Sequence, residues 1–114
     1  MIVHHDGCFG CGQANLFGLQ LESDGVSGRF FVKQDHQGPP GFAHGGIIAA
    51  ALDEAMALAL HAQGRDARTK RLEVRYLAPV PVGVFVEVGT TAGGAEARVD
   101  GKVVAEATAD FAVS

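Results

Sequence analysis

An α+β fold, with one long helix held by an antiparallel sheet of about five or six strands, is what this sequence predicts. Three observations predict it. Residues 45–62 form an Ala-, Leu-, Ile- and Met-rich run without proline, alternation of period two recurs on both sides of that run, and glycine-containing turn signals punctuate the alternation. The 114 residues fit one domain, 1–114, large enough to bury a core.

Taken in order, residues 16–22 and 26–33 read as a first pair of strands turned at Asp24-Gly25. The segment "QGPPG", residues 37–41, reads as a loop, because Pro39 and Pro40 lack ladder donors. The helix should run from Gly45 to about Ala62 and stop at Gly64. It is apolar on nearly every side, through Ile47, Ile48, Leu52, Met56, Leu58 and Leu60, so other elements must wrap it. Leu72, Val74 and Tyr76, then Val84, Val86 and Val88, supply alternating strands after the helix. Gly93-Gly94 and Asp100-Gly101 mark hairpin turns, and Val103, Ala105, Ala107, Ala109 and Phe111 complete an antiparallel meander that curls around the helix.

Composition excludes several functions. A hydrophobic content of 47%, a formal charge of −4 and a pI near 5.6 give no global attraction to nucleic acid or to an anionic membrane surface. The apolar run at 47–62 is too short for a bilayer and is interrupted by Asp53-Glu54, so no membrane span is expected. "MIVHHDG" has neither the basic start nor the apolar stretch of a secretory signal. Cys8 and Cys11 are too close together for a stapled secreted scaffold, and a cytoplasmic location is expected.

The helix start carries the first candidate chemistry. Gly45 and Gly46 leave its unpaired N–H groups uncovered, so a carbonyl oxygen can approach and be polarised there. Close packing of the helix on a strand would equally account for both glycines. Asp53 and Glu54 have alanine, methionine and leucine neighbours at helical spacing, so at least one is a candidate desolvated base. Composition does not choose between them, and an interface or solvent-facing role fits as well. At about 1.5 Å rise per residue, Asp53 lies roughly 10–12 Å along the axis from Gly45-Gly46, too far for both to touch one carbonyl. If they cooperate, they come from different subunits of a homo-oligomer, with two helices antiparallel at a dimer interface.

"GPPGFAHGG" followed by an Asp nine positions after His44 resembles the HGG-motif hotdog-fold acyl-CoA thioesterases, in the branch with an aspartate on the central helix. "CFGCG", "GLQL" and "RYLAPVPVG" extend the resemblance over most of the chain. The resemblance implies an enzyme that hydrolyses an acyl-CoA thioester without a cofactor or metal. Asp53 is then the catalytic carboxylate, as base or nucleophile. Gly46, with Gly45, polarises the thioester carbonyl, His44 shapes the loop, and Thr69 positions the water. Phe42, just ahead of His44, is a candidate substrate contact. The Asn that the phenylacetyl-type branch carries ahead of its motif is absent here, so substrate preference does not transfer. Hydration of an enoyl-CoA, or acyl-CoA binding without cleavage, are the alternatives the same fold allows.

Two further clusters stand out. Arg65, Arg68, Lys70, Arg71 and Arg75 place five of nine cations within eleven residues, and Arg68 and Arg71 are candidates for the phosphates of coenzyme A. His4, His5, Cys8 and Cys11 form H-H-x-x-C-x-x-C, a weak zinc or redox set. Its ligands crowd into eight N-terminal residues, so no metal is expected.

Overall fold

The run after His44 folds as one helix, α1 (Gly45–His61), in a computed structural model that describes residues 1–114. Gly64 adopts a φ of 75°, and the reversal lets the Arg65 N–H donate to the Leu60 carbonyl at 3.1 Å, ending the helix where the sequence predicts. Six strands surround it: β1 (Glu22–Ser23), β2 (Ser27–Phe31), β3 (Ala67–Tyr76), β4 (Phe85–Thr91), β5 (Gly94–Val99) and β6 (Lys102–Val113). They form a single antiparallel sheet in the order β1-β2-β4-β5-β6-β3. This is the hotdog architecture, with β3 as one edge.

Packing explains how the helix beds against the sheet. Ala51 and Ala55 on α1 and Ala95, Ala97, Ala105 and Ala107 on β5 and β6 are all buried in one core. Small side chains on both surfaces let the backbone of the helix approach closely, while Leu52, Leu58, Phe30 and Val86 fill the flanks. Asp100 and Gly101 both take positive φ, 51° and 79°, the geometry of a two-residue hairpin turn between β5 and β6.

The first strand is shorter and later than the sequence predicts: it is Glu22–Ser23, so of residues 16–22 only Glu22 is in a strand. Gln20 sits at a φ of 52°, and the N–H groups of Leu19 and Leu21 donate to Phe9 and Gly10 at 2.8 and 2.9 Å. That stretch therefore pairs with the "CFGCG" backbone instead of extending the hairpin. The N-terminal segment is thereby drawn onto the molecule, where Cys8 and Val3 pack on the core.

Candidate functional site

Asp53 and Thr69 meet between helix and edge strand. The Thr69 hydroxyl donates to Asp53 Oδ1 at 2.5 Å. Strand parity alone would turn Thr69 away, because Leu72 and Val74 face the core and odd positions such as Glu73 face out. The register shifts between Thr69 and Arg71, so Lys70 is an extra residue and Thr69 comes round to the helix side. Its ladder partner is Phe111, which packs on the same core as Leu72's partner Ala109. With Oδ1 held by Thr69, Asp53 keeps Oδ2 for a proton or an electrophile.

The helix start is built by the loop before it. His44 is extended, at φ −63° and ψ 139°, and its Nδ1 accepts the Gly46 N–H at 2.8 Å as an N-cap. Its own N–H donates to the buried His36 carbonyl at 2.8 Å, and the Ala43 N–H donates to Val80 at the same distance. A Cβ on Gly38 would come within 2.8 Å of the His44 Cα, so this loop needs glycine there. The Gly45 N–H has no acceptor within the chain, whereas the Gly45 carbonyl accepts the Tyr76 hydroxyl at 2.7 Å. An arriving carbonyl oxygen thus meets the Gly45 N–H directly, and takes the Gly46 N–H only in exchange for His44 Nδ1. Tyr76 was not singled out by its sequence context, although it is the only tyrosine in the chain.

Beside this end lies an apolar groove of about 290 Å³, walled by Ala43, Ile48, Leu77, Pro79, Val80 and Val104. Phe42 is exposed and bridges Pro81 across the loop, next to the groove but not among its walls.

The arginines do not join this arrangement. Arg68 and Arg71 pair with Ala112 and Asp110, on the face of β3 turned away from α1. Arg71 Nε donates to Asp110 at 3.0 Å, its NH1 lies 3.5 Å from Glu73, and these acids raise its guanidinium pKa. Arg68 carries no ion pair.

Glu54 separates from its neighbour. Its Oε2 lies 2.9 Å from His4 Nδ1 and accepts the Cys8 thiol at 3.4 Å. His4, Cys8, Cys11 and Glu54 bring their ligand atoms within 4.8 Å of one another. His5, the fourth member of the sequence set, instead accepts the Gly7 N–H in a local turn.

Residues 40–110 match the sequence profile of the thioesterase superfamily. A 50-residue stretch, 44% of this chain, is 40% identical to the human acyl-coenzyme A thioesterase THEM5, of which it spans only 20%. Among solved structures, BH2602 from Bacillus halodurans, crystallised with CoA, aligns at a TM-score of 0.71 with 29% identity, covering 84% of this chain and 72% of that one. The protein PA5202 from Pseudomonas aeruginosa aligns at 0.70 with 28% identity, over 90% of this chain and 93% of its own.

Proposed function

Because the chain belongs to the thioesterase superfamily, we propose that it hydrolyses an acyl-CoA thioester to the free acid and coenzyme A, with Asp53 as the catalytic carboxylate. The observation that carries this reading is the Asp53–Thr69 hydrogen bond, which fixes one carboxylate oxygen and leaves the other available. The CoA bound to the Bacillus halodurans relative and the activity named for the human one support the choice of substrate.

In the general-base course, Asp53 takes a proton from water, the hydroxide oxygen adds to the carbonyl carbon, and the C–S bond breaks as the thiolate leaves and is protonated. In the nucleophilic course, Asp53 itself attacks and water cleaves the resulting anhydride. Both need a donor for the carbonyl oxygen, and the Gly45 N–H at the positive end of α1 is the unoccupied one. Its distance from Asp53 along the helix, roughly 10–12 Å, requires the helix start of a second subunit. An antiparallel homodimer joined beside α1 supplies it, and the edge position of β3 offers unpaired backbone for the same contact. The acyl chain follows the apolar groove beside Gly45, with Phe42 at its rim.

Release of coenzyme A thiol from short, long and aromatic acyl-CoAs is the test. Wild-type protein should release it, and Asp53→Asn should slow release by at least about 100-fold. Wild-type protein that binds acyl-CoA without releasing thiol, or that bleaches the conjugated absorbance of an enoyl-CoA, would overturn the reading, as would an Asp53→Asn variant of undiminished rate.

A further inference from the structure

We propose that His4, Cys8, Cys11 and Glu54 form a four-ligand site for a zinc-class divalent ion, one that fastens the N-terminal segment to α1. The site lies outside the Asp53 arrangement, and its ligands come from two places far apart in sequence.

Bonds of about 2.3 Å to sulfur and 2.0–2.2 Å to nitrogen and oxygen, disposed tetrahedrally, set ligand-to-ligand edges of roughly 3.4–3.8 Å. His4 Nδ1 lies 3.5 Å from Cys11 Sγ and 3.9 Å from Cys8 Sγ, and Cys8 Sγ lies 3.4 Å from Glu54 Oε2. The direct His4–Glu54 bond, at 2.9 Å, must open by about half an ångström, and the widest separation in the cluster, 4.8 Å, must close by about one. Two thiolates with an imidazole and a carboxylate suit zinc and disfavour magnesium or calcium. Four protein ligands close the coordination sphere, which makes the role structural.

Electrostatics agree. Cys11 is fully buried and the Glu54 side chain is only 12% exposed, so two thiols and a carboxylate share a poorly solvated spot. A bound cation balances the charge gathered there: each thiol releases its proton to solvent and ligates as thiolate. The His4 N–H already donates to Cys11 Sγ at 3.1 Å, the kind of backbone bond that steadies a ligating sulfur.

The local sequence is shaped to this cluster. C-x-x-C sets the two sulfurs on one tight turn, closed by the Gly12 N–H donating to the Cys8 carbonyl at 2.9 Å. A Cβ on Gly10 would overlap the Glu54 carboxyl, and one on Gly12 would overlap the Asp6 carbonyl. Gly10 thus lets the turn seat on the Glu54 side chain, and Gly12 lets it close against the Asp6 backbone.

The test uses the whole chain, purified reduced, with zinc measured by mass spectrometry and cobalt(II) as a spectroscopic probe. One zinc per chain, visible ligand-field bands of tetrahedral thiolate-bound cobalt, and thiols that resist a thiol reagent until a chelator is added are expected. Cys8→Ser and Glu54→Gln should each weaken cobalt binding by at least about 10-fold, the smallest effect of losing even an outer-shell partner. His5→Ala should leave it unchanged. Substoichiometric zinc with no cobalt spectrum, a Cys8–Cys11 disulfide that persists in reductant, or wild-type cobalt binding by Glu54→Gln would each overturn the assignment. None of these readouts uses thioester hydrolysis, so the site and the proposed activity stand or fall separately.

Discussion

Thr69 reaches Asp53 because Lys70 is bulged out of the strand between them and the rest of β3. A bulge at a sheet edge turns a side chain to the other face, and here it turns the Thr69 hydroxyl toward Asp53. The strand end and the helix middle are thereby coupled through a single short hydrogen bond.

Removing that donor tests the coupling. Thr69→Val keeps the shape of the side chain but frees Oδ1, so the carboxylate loses its fixed orientation. A fall in kcat of roughly 10- to 100-fold with little change in KM is expected, the usual result of a misplaced catalytic group. Thr69→Ser, which keeps the hydroxyl, should restore most of it. Equal losses in both variants would assign Thr69 to packing.

His44 makes a different prediction, since its ring caps the helix instead of standing free. His44→Ala removes the acceptor of the Gly46 N–H and should cost about 1 kcal/mol, roughly 4 °C in Tm. It also releases that N–H for a carbonyl oxygen, so hydrolysis per folded molecule should stay within a few-fold of wild type. A loss of several hundred-fold in kcat without unfolding would make the imidazole a chemical participant.

The two arginines are separable by the same logic. Arg71 is already balanced by Asp110 and Glu73, whereas Arg68 has no partner. Arg68→Gln should raise KM for an acyl-CoA relative to a truncated thioester, and Arg71→Gln should leave that ratio unchanged. The reverse order would show that the Arg71 ion pairs break on substrate binding.

Much of the fold was legible in the sequence because its signals are local. The bounds of α1 follow from an uninterrupted helical run ending at Gly64, and the β5–β6 turn from Asp100-Gly101. Residues 16–22 misled because apolar Leu16, Leu19 and Leu21 imitate a strand, while the positive φ of Gln20 and its neighbours' bonds to Phe9 and Gly10 arise from tertiary contact. The resemblance placed Thr69 in the site as the hydroxyl that positions the water, but its direct hydrogen bond to Asp53 and the bulge that makes it possible have no sequence signature. Glu54 was unassignable for a related reason. Its partners His4, Cys8 and Cys11 lie more than forty positions away, and only the folded chain brings them to it.

The stability of the loop that carries His44 should depend on pH through His36. This ring is buried, its Nδ1 accepts the Lys33 N–H at 3.0 Å, and its Nε2–H donates to the Gly18 carbonyl at 3.2 Å. Both nitrogens are satisfied in the neutral form, and a second proton on Nδ1 would face an N–H. Desolvation lowers its pKa below the ordinary histidine value, with Lys33 adding to the effect and the Gly18 bond opposing it. Above about pH 6.5 both folded and unfolded chains hold His36 neutral, and its full contribution to stability is present. As pH falls through that value the unfolded chain takes up the proton first, so stability declines by up to about 1.4 kcal/mol per pH unit until the folded pKa is passed. Thermal unfolding followed between pH 7.5 and pH 5 should show this fall in Tm. His36→Gln should start from a lower Tm at neutral pH and lose less of it on acidification. An equally steep decline in that variant would place the pH sensitivity elsewhere. Because the His36 carbonyl holds the His44 N–H, a loosened His36 should also loosen the helix cap, and amide exchange at Gly46 should accelerate in step with the fall in Tm.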